Sequence, residues 1–587
     1  MTKRIISLLL AVFCVMSLFS GCKAGEESNG RTVEIPDASL TGAEAQLSAL
    51  RYALLSEGPS DAAILDAMAE EKIAVFLSAS DGTETAQVLC GTGDTAEAAF
   101  AAAEEKLRQQ EDFDAFIWLK ADLVTASEQM TRDALERAIG KKPDYGYRRG
   151  VSLDGEFAAA FLEAEMNSRG LIDYEEDKLL DGKILAAAAE KGTELASLPE
   201  EFTVFDAMGW FCDESGVYPL STESGSNYGR RSVDITDPQV LTGVIAEAST
   251  YLLSMVNENG KFDYGYYPIS HTLARGYNTI RHAGTVWNMA LQYEITGSED
   301  LRDGAARAMQ YLIEEFVVWE DEDTAYLLQH TKDEIQLGGN ALGTLAITRY
   351  ASAFGDHQYD EVAEDLARGI LTMWDEDEGF IHSLNYPEMT LKEKFLIIYY
   401  DGEAAFALTE LYGLTGKQEW LDASRMLLDY FVENKYEEFG DHWISYAVNE
   451  MTKLEMREED ILLGLRNIEG RLDRITRASI TWHTGAEMLM AGWELYLRAE
   501  ESGLCRREVR RFDEEKLAES ICYRMDYMLS GYMWPEYAMY FAQPGDVVGS
   551  FFVREDAFRI RIDDIQHNLG AYCLFYDNLE SVTEMAK

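Results

Sequence analysis

Three stretches of the chain repeat one helical pattern: HAGTVWNMALQYEITG at 282–297, NALGTLAITRYASAFG at 340–355 and DGEAAFALTELYGLTG at 401–416. Each begins with a polar residue and ends, fifteen positions later, with a glycine. The glycines recur at intervals of 58 and 61 residues, which is the length of a helical hairpin with its loops. The pattern therefore predicts stacked helical hairpins in which His282, Asn340 and Asp401 open successive inner helices and converge on one mouth.

The same helical periodicity continues on both sides of these stretches. It predicts a helix at 240–256, outer helices at 301–316, 359–374 and 420–431, and two more inner helices that begin near His483 and His567. Mixed charges make 451–480 an exposed helical insertion. Five or six hairpins fit, so residues 236–580 are expected to form a mainly α (α/α)6 toroid of helical hairpins.

The chain ahead of residue 236 has mixed periodicity. A small α+β domain is predicted at 45–145, from helices at 43–55 and 96–108 and strands at 73–80, 83–90 and 114–124. Residues 146–235, with helices at 154–167 and 181–191, are expected to connect this domain to the toroid. The predicted fold is thus an α+β N-terminal domain followed by the toroid.

The first residues have the pattern of a secretory signal. Two basic residues at positions 3 and 4 precede an apolar run at 5–19 that is too short to span a bilayer comfortably. The following Ser20-Gly21-Cys22 resembles a bacterial lipobox. This implies a lipoprotein signal peptide at 1–21, a lipidated Cys22, a disordered spacer at 22–44, and an extracytoplasmic body held on the cell membrane by lipid alone. An ordinary cleaved signal with a chance cysteine is the alternative.

Charge and cysteine content exclude several classes of function. The 105 acidic and 51 basic residues give a net charge of −54, which repels nucleic acid and anionic headgroups, so no nucleic-acid partner is expected. Acidic polysaccharides are not excluded, because a local cluster of Arg and His can reverse the potential inside a cleft.

Beyond Cys14 and Cys22, five scattered cysteines show neither zinc-site pairing nor a disulfide framework, and most are expected to be buried free thiols.

Polar and aromatic residues gather where the inner helices are expected to begin. Helix N-termini present unpaired N–H groups and a positive dipole, which suit ligands that carry hydroxyl or carboxylate groups. Aromatic rings that stack on sugars occur there beside polar groups that bind hydroxyls. The candidate substrate-binding residues are Arg281, Asn340, Tyr400, Glu403, His442, Trp443, Trp482, Gln566 and His567.

Two of the repeats resemble a known superfamily. The segments RHAGTVWNMALQYEITG and YYDGEAAFALTELYGLTG are similar to repeats of the six-hairpin glycosidase superfamily. That superfamily includes unsaturated glucuronyl hydrolases and, by related architecture, N-acylglucosamine 2-epimerases and D-glucuronyl C5-epimerases. The resemblance covers roughly residues 236–580 and implies an (α/α)6 toroid and carbohydrate chemistry, with no catalytic residue carried over.

Hydrolysis of a glycosidic bond needs two carboxyl groups, one protonated and one ionised. Asp401 and Glu403 diverge by about 200° on a helix, so a pair from different hairpins fits better. Asp401 with Asp563 or Asp564 is the predicted catalytic pair, with Asp441 and Glu450 in reserve. The first hypothesis is therefore a surface-anchored glycoside hydrolase acting on a poly- or oligosaccharide in the toroid funnel.

The histidines favour a sugar epimerase as the alternative. Four of the eight His lie in the polar loops, namely His282, His442, His483 and His567, and His282 and His483 are candidate catalytic residues. Proton removal and return on opposite faces of a sugar needs two groups that titrate near neutrality. A non-catalytic glycan-binding or envelope-assembly lipoprotein is the third hypothesis.

No metal site and no cofactor are predicted. His282, His483 and Asp401 could meet around zinc, but no His pair four residues apart and no cysteine cluster specifies an ion. Arg281 could clamp a uronate carboxylate, or it could pair with Asp401 or Asp563.

Overall fold

The computed structural model describes residues 32–35, 39–69, 72–142, 144–394 and 397–587. The predicted signal peptide, the lipidation site Cys22 and most of the spacer lie outside these residues, so the lipid anchor stays a prediction. Within the described ranges, no helix combines the length and the apolar character needed to cross a membrane.

The N-terminal part combines helices with a curved sheet. Its helices are α1 (Ala43–Glu57), α2 (Asp61–Leu65), α3 (Ala96–Arg108), α4 (Arg132–Gly140), α5 (Glu163–Ser168) and α6 (Asp181–Glu190). Its strands are β1 (Ile73–Ser80), β2 (Gln87–Gly93), β3 (Trp118–Thr131), β4 (Gly150–Ser152), β5 (Ala160–Phe161), β6 (Ile172–Asp173), β7 (Lys178–Leu179), β8 (Glu201–Asp213) and β9 (Gly216–Pro219).

Among the described residues, seven of these strands form one sheet in the order β2-β1-β3-β8-β4-β5, with β9 on β8. The long antiparallel pair β3 and β8 forms its centre, so the region expected to be a helical connection supplies a central strand. Residues 154–167 are not the single helix that was predicted. The carboxylate of Asp154 accepts hydrogen bonds from the backbone N–H groups of Glu156, Ala158 and Ala159, which fixes a turn ahead of β5.

The C-terminal part is mainly helical. Its helices are α7 (Pro238–Ser254), α8 (Thr279–Thr296), α9 (Glu299–Phe316), α10 (Leu337–Phe354), α11 (Asp360–Thr372), α12 (Ile397–Thr415), α13 (Gln418–Glu433), α14 (His442–Leu454), α15 (Glu458–Glu469), α16 (Leu472–Arg477), α17 (His483–Ser502), α18 (Arg506–Val509), α19 (Glu514–Met528), α20 (Pro535–Ala538) and α21 (Ile562–Met585). Its loops carry the short strands β10 (Gly265–Tyr267), β11 (Thr272–Leu273), β12 (Val317–Trp319), β13 (Ala325–Gln329), β14 (Glu334–Gln336), β15 (Trp374–Asp375), β16 (Gly379–Phe380), β17 (Ser383–Asn385), β18 (Thr390–Glu393) and β19 (Ile560–Arg561).

In the described part of the chain, six helices close an inner ring. Helix α8 packs on α10, α10 on α12, α12 on α14, α14 on α17, α17 on α21, and α21 back on α8. The outer helices α7, α9, α11, α13, α15 and α19 pack against them from outside. The ring has the predicted hairpin architecture, but the helix predicted at 240–256 is an outer helix.

Two details of the ring differ from the sequence-based expectation. The segment 451–480 is not an exposed insertion, because it supplies the outer helix α15, whose Asp460, Ile461 and Ile468 are buried. The inner helix α14, which begins at His442, was not among the inner helices predicted from the sequence.

The recurring glycines have a structural cause. Gly297 and Gly355 end α8 and α10 in the left-handed region, with φ of 61° and 66°.

The N-terminal ends of the six inner helices, with the loops before them, are called the mouth below. Neighbouring ends are joined around it, since β14 pairs with β17 ahead of α10 and α12, and β10 pairs with β19 ahead of α8 and α21. These short strands fix the loops of a region that the sequence predicted to be mainly α. The mouth is thus a rigid rim on which side chains from different hairpins meet.

One buried cation joins the sheet to the helical ring. Arg231 donates two hydrogen bonds from Nε and Nη2 to Glu536 of α20, at 3.1 and 2.8 Å, and its Nη2 lies 3.4 Å from Asp213 at the end of β8. Its guanidinium also lies over the ring of Tyr218, 4.0 Å from the centroid. Because Glu536 is buried, the ion pair is shielded from water on both sides.

A second titratable group, the half-buried carboxyl of Glu410, lies toward the C-terminal end of the inner helix α12. Burial, followed by the nearby carboxyl of Glu450, raises the pKa of Glu410 on α12 to about 7. Because the folded state then holds a proton that the unfolded state releases near pH 4.5, stability falls as the pH rises from about 4.5 to 7. At pH 8, Glu410→Gln is expected to be more stable than the wild type by about 2 kcal/mol.

This gain is measured from urea unfolding curves at pH 8 and pH 4.5, where the difference should vanish. Glu361→Gln, at an exposed position on the outer helix α11, is the control and should show no difference at either pH. An equal gain at both pH values would contradict the account, since it would not come from ionisation.

Candidate active site

At the mouth, two histidines meet one buried carboxylate. Glu487 of α17 is fully buried, and its Oε2 lies 2.9 Å from Nδ1 of His567 on α21 and 3.9 Å from Nε2 of His442 on α14. The two imidazole centroids are 5.7 Å apart at an angle of 74°. Gly570 lets α21 come this close, because a Cβ there would lie 2.7 Å from Oε1 of Glu487. We call His442, Glu487 and His567 the histidine cluster.

The histidine cluster is held by neighbouring side chains, and its most exposed member is His567. The hydroxyl of Tyr446 donates to Oε1 of Glu487 at 3.2 Å, and Nδ1 of His442 lies 3.4 Å from the carboxylate of Asp441. His442 is buried, and its Nε2 has no hydrogen-bond partner among the described residues. The side chain of His567 is 18% exposed, so a ligand at the mouth can reach it.

His483, the first residue of α17, stacks on His567 with ring centroids 5.1 Å apart and planes within 6°. Burial and the neighbouring His567 lower the pKa of His483 to about 3, so it is neutral at physiological pH. Burial alone would lower the pKa of His567, but the adjacent Glu487 carboxylate and its hydrogen bond raise it on balance. The mouth therefore holds a stabilised imidazolium next to a neutral imidazole.

Aromatic side chains fill the axis of the ring beneath the histidine cluster. Trp287 of α8 contacts Phe406 of α12 and Trp443 of α14 across the ring, with centroids 6.2 and 5.9 Å apart. Phe406 also stacks on Tyr446 at 5.5 Å. All four rings are buried. Trp443 was predicted to bind substrate, but in this plug it closes the floor of the mouth.

A buried glutamate lies on the neighbouring helix. Glu403 of α12 is buried, and its Oε2 has no hydrogen-bond partner among the described residues. Burial, followed by repulsion from Asp441 and Asp401, raises the pKa of Glu403 well above its usual value. Its protonated form, which can donate a hydrogen bond, is therefore more favoured than that of an exposed glutamate.

Asp563 and Asp564 begin α21 and are both held by arginines. Asp563 accepts from Arg281 Nε at 2.6 Å and also pairs with Arg561, whereas Asp564 pairs with Arg559 at 3.0 Å. Despite burial, these arginines lower the pKa of Asp563 to about 2. Burial, and then the charge of Asp563, raise the pKa of Asp564 to about 6.

Arg281 thus pairs with Asp563, which is one of the two roles predicted for it from the sequence. It also donates from Nη1 to the hydroxyl of Tyr264 at 2.6 Å. Both contacts are made inside the protein, and the side chain of Arg281 remains 35% exposed, so a contact of this residue with a uronate stays a prediction.

The structure does not bring His282, Asn340 and Asp401 together. His282 contacts the backbone oxygen of Ala308 on the outer helix α9 at 2.8 Å. Asn340 donates to the backbone oxygen of Leu366 on α11 at 3.1 Å. The three residues do occupy equivalent places in their hairpins, but this shared face is turned toward the outer helices.

Asp401 is held in the same way. It accepts from the hydroxyl of Tyr436 at 2.8 Å, and its other oxygen lies 2.7 Å from Nε2 of His382. Burial raises the pKa of Asp401, and burial lowers the pKa of His282 to about 4. We therefore remove His282, Asn340 and Asp401 from the candidate site, since each joins an inner helix to surrounding structure.

The other predicted residues lie on the rim. Gln566 Nε2 is 3.4 Å from Nδ1 of His567, and Tyr400 packs next to Gly338 of α10, close to Glu403. Trp482, with φ of 41°, directly precedes His483, and Arg474 lies over its ring at 5.1 Å. Among these three residues, Gln566 lies beside the histidine cluster, and the substrate-binding role of all three stays a prediction.

Among the described residues, the histidine cluster is the group that could hold a metal ion, with its donor atoms all within 4.8 Å of one another. The zinc set considered from sequence, His282, His483 and Asp401, is not assembled. Within the histidine cluster, Glu487 and His567 are in direct contact at 2.9 Å.

The sequence analysis did not name Glu487. Glu487 follows His483 by four positions, which places both on one helical face, so this spacing was the available signal.

Comparisons with known proteins assign no family. No family model matches the chain, and no curated protein matches it. It is similar to the structure of cellobiose 2-epimerase from Bacillus thermoamylovorans, with 14% identity, coverage of 58% of this chain and 99% of that chain, and a TM-score of 0.45.

Two further solved structures are similar at the same level. D-mannose isomerase has 11% identity, coverage of 59% and 98%, and a TM-score of 0.44. The alpha-1,6-mannanase from Salegentibacter has 10% identity, coverage of 57% and 98%, and a TM-score of 0.39. At these values the likeness assigns no residue and no reaction to this chain, and the ring rests on its own helix contacts.

Proposed function

We propose that this protein is a carbohydrate-active enzyme that moves a proton at the carbon next to the carbonyl of a reducing sugar, as a sugar epimerase or isomerase does. One observation carries the proposal. His442 and His567 approach from two different helices and meet at the buried carboxylate of Glu487, with their ring centroids 5.7 Å apart. This is the paired-histidine alternative raised by the sequence.

The assigned roles follow from protonation and contacts. His567 is the acid, because the carboxylate of Glu487 raises its pKa and keeps the imidazolium protonated. His442 is the base, because its Nε2 is free of hydrogen bonds within the described residues. His483, with a pKa of about 3, is too weak a base and instead positions His567 by stacking.

These residues carry the chemical step as follows. His442 takes the proton from the carbon next to the carbonyl while His567 gives a proton to the carbonyl oxygen, which produces an enediol, a protonated His442 and a neutral His567. For the epimer, His567 takes the hydroxyl proton back and delivers it to the opposite face of the same carbon, and proton exchange with water then returns both histidines to their starting states. For the ketose, His442 returns its proton to the former carbonyl carbon while His567 takes the proton of the neighbouring hydroxyl. The carboxyl of Glu403 on the neighbouring helix α12, whose pKa is raised by burial, would in its protonated form donate a hydrogen bond to a sugar oxygen.

A glycoside hydrolase remains the second candidate, favoured by one observation. Arg281 and Arg561 lower the pKa of Asp563 despite its burial, whereas burial and the charge of Asp563 raise the pKa of Asp564, so the mouth holds carboxyls of opposite tendency. Because the two are adjacent on α21, either would need a partner carboxyl from another hairpin to cleave a glycosidic bond. The catalytic pair predicted from the sequence, Asp401 with Asp563 or Asp564, is less well supported, because Asp401 is held between His382 and Tyr436. Arginines also engage Asp563 from two sides.

Product analysis separates the two candidates. The protein is incubated with cellobiose, with D-mannose and with an alpha-1,6-linked mannotriose, and the products are resolved by chromatography. The proposal expects a new sugar of the same size as the substrate from a reducing sugar, with no increase in reducing ends. Release of smaller sugars, lost in Asp564→Asn and retained in His442→Asn, would overturn it in favour of the hydrolase.

A further inference from the structure

The inner helix α12 is broken at the mouth. Ile398 and Tyr399 have non-helical backbone angles, and Tyr399 has φ of 88° and ψ of −65°. A side chain other than glycine rarely adopts this conformation, and holding it costs free energy that the surrounding structure must supply. The break turns the chain so that Tyr399 stands at the rim and not on the face of a regular helix.

Asp441 supplies the restraint. Its Oδ2 accepts the backbone N–H of Tyr399 at 2.7 Å, and its Oδ1 accepts the backbone N–H of Trp443 at 3.0 Å. Asp441 is buried, and its own N–H donates to Asn467 of the outer helix α15 at 3.2 Å. One carboxylate therefore caps α14 and ties the strained peptide of α12 to it.

The restraint places an aromatic ring beside the histidine cluster. The ring of Tyr399 lies 5.6 Å from the imidazole of His442, at 69° to it. His442 is buried, whereas Tyr399 is 48% exposed. A half-exposed aromatic face next to a buried proton carrier is a surface on which the ring of a sugar can pack.

We propose that Tyr399 is a substrate-contact residue, the aromatic wall of the mouth above His442, and that Asp441 is the positioning residue that holds it there by restraining a strained peptide. The inference rests on the proposed function for the identity of the ligand as a sugar. Its structural half, a strained Tyr399 held by Asp441, is testable without any sugar.

The first arm of the test compares glycine with alanine at position 399. Both variants remove the ring, so their difference isolates the backbone. Alanine is normally the more stable of the two. Here Tyr399→Gly is expected to unfold at a higher urea midpoint than Tyr399→Ala. Tyr523 is the matched control, because it is 49% exposed within the regular helix α19, and Tyr523→Gly should unfold at a lower midpoint than Tyr523→Ala. The same order at both positions would overturn the claim of strain.

The second arm tests Asp441. Asp441→Ala should lower the urea midpoint less in the Tyr399→Gly background than in the wild type, because glycine needs no restraint there. The control is Asp237→Ala, which removes a comparable cap from α7, where Asp237 accepts from Gln239 N–H at 2.8 Å. Its effect should be the same in both backgrounds. Equal effects of Asp441→Ala in both backgrounds would contradict the positioning role.

The third arm uses turnover with cellobiose and D-mannose. Tyr399→Ala is expected to raise KM more than tenfold over that of Tyr399→Phe, with a smaller change in kcat, because Phe keeps the ring and Ala does not. Equal KM values in the two variants would overturn the contact role. Absence of turnover in the wild type would contradict the proposed function, and the unfolding midpoints would still decide whether Asp441 holds a strained Tyr399.

Discussion

Replacing His567 with asparagine is expected to lower kcat for sugar interconversion by about 10²- to 10⁴-fold, the range that general acid catalysis supplies. The asparagine amide can still donate a hydrogen bond to Glu487, so the buried carboxylate keeps a partner while the proton carrier is lost. Steady-state kinetics with the best substrate found among the reducing sugars measure the effect. His357→Asn is the control, since His357 is 60% exposed on the outer surface, and it should change kcat by less than about twofold.

The dependence of kcat on pH tests the same role of His567. The pKa of His567 is raised in the folded protein above that of a free imidazole, so its protonated form extends to higher pH, and activity should fall as the pH rises through that pKa. Glu487→Gln removes the charge that raises it. The alkaline limb of the profile should therefore move to lower pH in Glu487→Gln. A limb that stays in place, or a His567→Asn variant of near-normal kcat, would remove His567 from the mechanism.

Arg231→Met is expected to lower the free energy of unfolding by about 3 to 5 kcal/mol, the largest change in stability expected here, because it leaves Glu536 buried without its cation. Arg231 makes this pair at 2.8 Å and joins β8 and β9 to α20, so the loss falls on the junction of the sheet and the ring. Urea unfolding followed by tryptophan fluorescence measures it, since Trp534 lies 5.2 Å from the guanidinium.

Two further variants distinguish a buried ion pair from an exposed one. Adding Glu536→Leu to Arg231→Met should recover part of the loss, because the stranded charge is then gone. Arg51→Met breaks a pair with Glu97 in which the two side chains are 38% and 65% exposed, and it should cost less than about 1 kcal/mol. If Arg231→Met costs no more than Arg51→Met, Arg231 does not anchor the junction.

The ring was the most predictable part of the molecule. The repeat ending at Gly297, Gly355 and Gly416 located three inner helices because each glycine supplies the left-handed residue that terminates a helix, with φ of 61° to 66°. Inner helices near His483 and His567 followed from the same periodicity. The outer helix α15 was missed, because its mixed charges resemble those of an exposed segment although Asp460 is buried and paired with Arg425 and Arg457.

The direction of a polar side chain in the ring was not predictable in the same way. His282, Asn340 and Asp401 begin inner helices as expected, yet they contact outer helices and loops. Ser445, the fourth residue of α14, follows the same rule, since it accepts from Asn467 of the outer helix α15 at 2.8 Å. A repeated position marks a shared face, and the sequence alone does not show whether that face is turned inward or outward.

The composition of the site required contacts between distant segments. His442, Glu487 and His567 come from three helices, and only their packing shows that one carboxylate serves two imidazoles. The concentration of His in the polar loops singled out His442, His483 and His567 as candidates, and the structure places these three side chains next to one another. That concentration could not rank proton transfer over hydrolysis, because that choice depends on which carboxylates are engaged by arginines.

Nuclear magnetic resonance of the sugar recovered after incubation in D2O tests the central claim most directly. With cellobiose or D-mannose as substrate, the account predicts deuterium at the carbon next to the carbonyl in the interconverted sugar, at a rate that His567→Asn reduces at least about a hundredfold. Interconversion without deuterium at that carbon, or no exchange with any reducing sugar, would contradict the account.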